Sequence, residues 1–230
     1  MSRVSRDEFV AWNEIMAKRH DPDLYHTESP LPIRLLERRR VSVLIQLLDA
    51  QPNLRILEVG CGAGNVLDRV PTGTRVGIDL SAFLLHKAGQ RLKKRASLLR
   101  MNAESLAFAD ASFDRVYCSE VLEHVIDPTA VLREIRRVLR PNGLAVISVP
   151  NEDAINRLKR TAFRIPGVRR LVGASEYHMA DHMEDEWHLH EFDRAMLEDV
   201  ASGLFEMETL ASVPTRVLPL RYVARLRPLA

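Results

Sequence analysis

The segment Ile56-Leu57-Glu58-Val59 runs straight into Gly60-Cys61-Gly62-Ala63-Gly64, and a second apolar run, Thr74 to Ile78, ends on Asp79. Few folds accept a buried strand that empties into a loop with glycine at every second position. In a parallel α/β sheet the two strand ends lie side by side. The glycines let a ligand approach the backbone closely, and Asp79 is placed to accept hydrogen bonds from a ribose diol. Such an arrangement binds a nucleoside-containing cofactor.

The rest of the chain supports that sheet. Apolar runs predict strands at 54–59, 74–79, 97–101, 113–118, 143–149, 205–211 and 219–226. Between them, helical periodicity predicts helices at 63–70, 81–95, 120–124, 128–140 and 193–202. Asp127 reads as an N-cap with Pro128 at the first helical position, and Pro141-Asn142-Gly143 as the stop. Strand–helix alternation implies a doubly wound, seven-stranded, mostly parallel sheet with helices on both faces. Two earlier helices, 7–20 and 31–50, form an N-terminal helical cap, with Glu37-Arg38-Arg39-Arg40 on the solvent side of the second. One domain is expected: cap 1–50, cofactor-binding core 51–150, insertion 151–190 after the fifth strand, and last helix and strands 191–230.

A length of 230 residues suits one well-buried domain, and a net charge of +2 gives no reason to expect nucleic acid as a partner. Residues 1–16 carry Asp7, Glu8 and Glu14 and lack a signal-peptide core, so the expected address is the cytoplasm. The two cysteines, Cys61 and Cys118, fit no zinc spacing and are expected to stay reduced.

The loop separates two classes of cofactor. A dinucleotide fold reads G-x-G-x-x-G, whereas position 65 here is Asn and Glu58 stands before the first glycine. A carboxylate there repels a pyrophosphate and suits a cationic ligand. Glu58-Val-Gly-Cys-Gly-Ala-Gly64 resembles the first motif of class I S-adenosylmethionine-dependent methyltransferases, and Val76-Gly-Ile-Asp-Leu-Ser81 their second. Asn102-Ala-Glu-Ser-Leu-Ala-Phe108, Ser112 to Val125 and Leu139-Arg-Pro-Asn-Gly-Leu144 are similar to the later motifs, in the family's order. The chain most resembles the ubiquinone-pathway O-methyltransferase-like group, which carries a substrate-side insertion after the fifth strand.

That resemblance implies a Rossmann-like methyltransferase fold, S-adenosylmethionine as cofactor, and a set of contacts. Glu58 precedes the loop, Gly60 and Gly62 face the methionine portion, and Asp79 binds the ribose. Leu80 packs on the adenine, with Asn102 and Ala103 at its edge. Asn102 stands where the family often has Asp. Ser119 offers its backbone carbonyl to the cofactor ammonium.

Methyl transfer requires alignment first, and a base only when the acceptor is an un-ionised hydroxyl or similar group. His124, after the fourth strand, is the first candidate base, since an ordinary imidazole pKa of about 6.5 suits the task. His188-Leu-His-Glu-Phe192 is similar to a family segment bordering the acceptor pocket, which makes His188 a candidate substrate contact and the second candidate catalytic residue. His178, His182, His188 and His190 match no standard zinc spacing, so no metal is expected. Tyr25, Arg34 and Arg38 of the cap are further candidate contacts. Residues 155–172 carry Arg157, Lys159, Arg160, Arg164, Arg169 and Arg170 among apolar residues, with no acid. A basic amphipathic stretch of this kind fits a pocket lid or peripheral contact with an anionic membrane.

The expected function is methyl transfer to a small-molecule or lipid-linked acceptor, on oxygen first, with nitrogen or carbon as alternatives. The rivals are a non-catalytic nucleoside-binding protein of the same fold and an NAD-dependent dehydrogenase.

Overall fold

The computed structural model describes residues 4–23, 28–162 and 187–229. Seven strands form one sheet: β1 (Arg55–Val59), β2 (Thr74–Asp79), β3 (Ser97–Arg100), β4 (Phe113–Ser119), β5 (Leu139–Pro150), β6 (Phe205–Pro214) and β7 (Pro219–Pro228). Their order is β3-β2-β1-β4-β5-β7-β6. The first five run parallel, while β7 pairs antiparallel with both β5 and β6. The doubly wound, mostly parallel architecture is the one expected.

Alternation along the strands divides the core into two layers. Ile56, Tyr117, Val146 and Val223 face one side, where they meet Val41, Leu44 and Leu48 of α2 (Leu31–Leu48) and Ala88 and Leu92 of α3 (Ala82–Leu92). Leu57, Val59, Val116, Cys118, Ala145 and Ile147 face the other. They pack on Val131, Leu132, Ile135 and Val138 of α4 (Pro128–Val138) and on Leu197 and Val200 of α6 (Arg194–Ala201). The remaining helices are α1 (Phe9–His20) and α5 (Glu152–Ala162). α2 is therefore a structural layer of the sheet, and α1 is the part that lies over α3. Glu14 of α1 accepts from the amides of Ala82 and Phe83, which begin α3, a favourable place for a carboxylate at a helix N-terminus.

Asp127 caps α4 by accepting from Ala130, with Pro128 at the first helical position, as its sequence implies. α4 ends at Val138 and passes directly into the extended Leu139, which pairs with Phe113. Three sequence expectations need correction. The helix over 63–70 is only a 3₁₀ turn at Leu67–Arg69, because only the short stretch 65–70 separates Gly64 from Pro71. Residues 120–124 likewise form a 3₁₀ turn, Leu122–His124.

The third concerns α2. Glu37 and Arg40 are 3% and 2% exposed, not on the solvent side. They escape the cost of burial by pairing with each other at 2.7 Å and by bonding inward to the sheet, as described below.

Candidate active site

Register places the exits of five parallel strands in one row. Val59 pairs with Ile78 and Cys118, Asp79 with Arg100, and Ser119 with Ser148. Asn102, Asp79, Gly60, Ser119 and Asn151 thus follow one another along the carboxyl edge, where open α/β sheets bind ligands.

The β1–β2 end is built from backbone. Gly60 has φ +73 and Gly62 φ +50, values that disfavour a side chain. A Cβ at Gly60 would collide with Val121, whereas one at Gly62 would meet nothing within 4 Å. Gly62 therefore borders open space. Asp79 holds the loop in place: its carboxylate accepts from Gly62 N and Ser81 N, each at 2.8 Å. Each oxygen carries more than one lone pair, so the group can still accept from a diol. Burial raises the Asp79 pKa, and the hydrogen bonds from Ser81 and Gly62 oppose that rise.

Asn65, where a dinucleotide loop would have glycine, donates to Asp23 at 3.1 Å. Asp23 also pairs with Arg91 at 2.7 Å and Lys87 at 3.2 Å. Arg91 in turn donates to the Ala63 carbonyl. The linker between the first two helices thereby clamps the outer side of the loop.

Glu58 requires a correction. It is 2% exposed, on the same face as α2, and accepts from the Tyr117 hydroxyl at 2.9 Å. Burial pushes its pKa well above the usual carboxylate range. The electrostatic argument that treated it as an open anion facing a cation does not hold; it supports the loop from beneath. Leu80 is half-buried, and its carbonyl accepts from Arg100 at 2.8 Å. Asn102 is half-buried beside Ala103, and its side-chain oxygen accepts from Glu104 N at 2.9 Å.

The β4–β5 end is built from side chains. The Ser119 hydroxyl takes a hydrogen bond from Arg40, which also donates to Ser148 at 3.0 Å. Arg221 of β7 pairs with Glu120 at 2.7 Å and lies 3.8 Å from Glu37. Ser148 donates to Glu120 at 2.9 Å. Glu120 itself has φ +54, a strained conformation for a residue with a side chain. Two guanidinium groups and two carboxylates thus fix the β4 exit to α2, β5 and β7.

Beyond that exit, His124 Nδ1 lies 3.2 Å from the Trp187 carbonyl. A carbonyl only accepts, so Nδ1 carries the proton and Nε2 the lone pair. The His124 ring lies 4.6 Å from the Trp187 ring and 4.8 Å from that of His188. Trp187 is also stacked on His20 of α1 at 6.0 Å. Burial, and then the proximity of His188, push the His124 pKa well below its ordinary value, so the near-neutral pKa expected for it is corrected downwards. His188 Nδ1 lies 2.9 Å from Glu152 Oε1, and Glu152 is 3% exposed. Burial, then Glu120, push the Glu123 carboxyl up to about 8.

Donor atoms of Glu123, His124 and His188 lie within 4.8 Å of one another, but Nδ1 of each histidine is directed to a protein acceptor. His190 donates to the carbonyl of Val125 at 2.9 Å, which fixes the loop. Tyr25, His178 and His182 lie outside the described residues, as do residues 163–186 of the insertion. Arg34 is half-buried and Arg38 exposed; the residues of α2 that reach the strand exits are Glu37 and Arg40. Sequence reasoning missed these two together with Glu152, Trp187 and Arg221. Only Glu152 gave a signal, as a carboxylate three residues past a predicted strand.

Residues 57–147 match the family profile described as a methyltransferase domain. Residues 57–147 thus form a methyltransferase domain of the kind that uses S-adenosylmethionine. Among curated proteins, this methyltransferase-domain chain is 31% identical over 147 residues to a ubiquinone biosynthesis O-methyltransferase of Alkalilimnicola ehrlichii, covering 61% of this chain and 58% of that protein. It spans 35–58% of the length of the curated relatives it matches.

Its fold is similar to that of the N-methyltransferase NodS from Bradyrhizobium japonicum, solved with S-adenosylhomocysteine. The TM-score is 0.67 and identity 18%, over 94% of this chain and 98% of that one. It is similar also to the [4+2]-cyclase SpnF, with TM-score 0.62 and 16% identity over 84% and 82% of the two chains.

Proposed function

We propose that this protein transfers the methyl group of S-adenosylmethionine to an oxygen of a small-molecule or lipophilic acceptor. When bound, S-adenosylmethionine supplies a methyl group on a sulfonium, open to in-line displacement. The observation that carries the reading is the row of strand exits: a glycine loop with open space at Gly62, the Asp79 carboxylate beside it, and a histidine pair past β4.

In this reading Gly60 and Gly62 let the cofactor lie against the backbone, and Asp79 binds the ribose hydroxyls. Leu80, Asn102 and Ala103 flank the base, and the Ser119 carbonyl receives the ammonium. The network around Arg40 holds Ser119 still, which serves alignment. Trp187 covers the histidines and reduces contact with water. One of the two histidines takes the acceptor's proton.

Oxygen is favoured over nitrogen or carbon by the likeness to ubiquinone biosynthesis O-methyltransferases and by the paired imidazoles, which an already nucleophilic amine would not need. We propose the cytoplasm as its address, with peripheral membrane contact through residues 155–172. Within the described part, Leu158 is 42% exposed among Arg157, Lys159 and Arg160. No helix among the described residues is long and apolar enough to cross a membrane.

The test is transfer of a labelled methyl group from S-adenosylmethionine to a panel of catechols, carboxylic acids and amines. Methylation of a hydroxyl acceptor is the expected outcome. Exclusive methylation of amines would contradict the oxygen assignment.

A further inference from the structure

We propose that Glu152 and His188 form a carboxylate–imidazole dyad in which Glu152 positions and polarises His188, making His188, rather than His124, the proton acceptor of the site. The inference rests on the functional reading above and deepens it by assigning the proton.

The two histidines lie 4.8 Å apart but have unlike partners. His124 is held by a neutral carbonyl. His188 is held by a carboxylate at 2.9 Å, whose side chain is 4% exposed while the imidazole is 11% exposed. A carboxylate beside Nδ1–H places the lone pair on Nε2 and stabilises the imidazolium that forms when a proton arrives. In a water-poor setting that stabilisation is stronger than in bulk. A carbonyl fixes the tautomer of His124 but brings no opposite charge. The low pKa of His124 agrees with this asymmetry, since His188 is among its causes.

The chain holds the dyad from several sides. Glu152 is the first residue of α5, separated from β5 by Asn151 alone, and its amide donates to the Phe192 carbonyl at 3.1 Å. His188 is fixed by the following amides, Leu189 N and His190 N, which donate to the Glu123 carbonyl at 2.7 and 3.2 Å. Both ends of the dyad are thus pinned by backbone. Among the described residues the charged or titratable groups near His188 are Glu152 of α5 and Glu123 and His124 of the 3₁₀ turn; His20 of α1 lies across Trp187.

In the step itself, the acceptor's O–H bond breaks and its proton joins Nε2 of His188. The oxygen's electron pair forms the new O–C bond, and the S–C pair returns to sulfur. Charge is conserved, with the positive charge passing from sulfonium to imidazolium.

The test uses the full chain with ¹³C- and ¹⁵N-labelled histidine, titrated by NMR with S-adenosylhomocysteine present. His124→Gln and His188→Gln serve to assign the two signals. His188 is expected to titrate above His124, with its proton on Nδ1 in the neutral form. Glu152→Gln keeps a hydrogen-bonding side chain but removes the charge, and is expected to lower the His188 pKa by about one pH unit. Glu152→Asp, which restores the charge, is expected to recover part of that loss. If His188 titrates below His124, or is unmoved in Glu152→Gln, the dyad is refuted. Calorimetry with S-adenosylhomocysteine runs alongside. Loss of binding by the wild type would sink the functional reading, while the histidine titration would still judge the dyad.

Discussion

At the exits of β1 and β2, the groups facing the site are mostly main chain: the Gly60–Gly62 turn, with one carboxylate, Asp79, bonded to two amides. At the exits of β4 and β5 they are side chains from distant segments. Arg40 comes from α2, Ser119 and Glu120 from the end of β4, and Glu152 from the start of α5. His188 comes from the segment before α6, and Arg221 from β7. A site made of backbone tolerates almost no added atoms but depends on few partners. A site made of buried charged side chains tolerates no missing partner. The first arrangement suits a constant cofactor, the second an acceptor that differs between relatives.

The largest effect expected from this contrast lies at the side-chain end. Arg40→Ala leaves Glu37 buried without its principal partner and Ser119 and Ser148 without their shared donor. It should cost about 3–5 kcal/mol, the usual range for breaking a buried pair, measured by urea unfolding. A loss below about 1 kcal/mol would mean that the network is not what holds α2 to the β4 exit.

Next comes Gly60→Ala, where positive φ and the Val121 side chain act together. Backbone strain of about 1–2 kcal/mol and overpacking of about 1–3 kcal/mol add up to a clear drop in melting temperature. Gly62→Ala provides the contrast. It meets nothing within 4 Å, so only the backbone term of about 1–2 kcal/mol applies to stability. Because its Cβ enters the ligand's space, its affinity for S-adenosylhomocysteine should fall by more than its stability predicts. Equal losses of stability in the two variants would erase the distinction between a packed and an open glycine.

The pH dependence tests the side-chain end again. Burial holds the folded Glu123 near 8, against 4.5 for an unperturbed carboxyl. The folded state therefore binds the extra proton between those values, and this contribution to stability is complete below 4.5 and lost as pH rises through 8. His124 has the opposite sign: its depressed pKa means that stability is lost as pH falls below 6.5. Glu123→Gln should abolish the Glu123 part alone, gaining on the wild type between about pH 4.5 and 8 and levelling off above that in unfolding measurements. A constant difference would show that Glu123 is ionised in the folded protein.

The same contrast explains what could be read from sequence. Strand positions, the Asp127 cap and the Gly60–Asp79 juxtaposition follow from local patterns: apolar period, cap residues, glycine spacing. The 3₁₀ turns at Leu67–Arg69 and Leu122–His124 are not legible in the sequence, because short apolar stretches carry too few residues to fix a period. Arg40 looked like a solvated arginine because its partners Ser119, Ser148 and Glu37 converge only when β4, β5 and α2 meet. Glu58 was legible as important but not as buried, since Tyr117, its partner, sits on the neighbouring strand. The Glu152–His188 pairing spans 36 positions, and no local pattern encodes it.

The central claim is that the β1–β2 exit is an S-adenosylmethionine site held by Asp79, and calorimetric titration with S-adenosylhomocysteine tests it most directly. The wild type should bind and Asp79→Ala should lose most of that affinity, while NAD should bind neither. Binding of NAD with no heat from S-adenosylhomocysteine, or undiminished affinity in Asp79→Ala, would contradict the account.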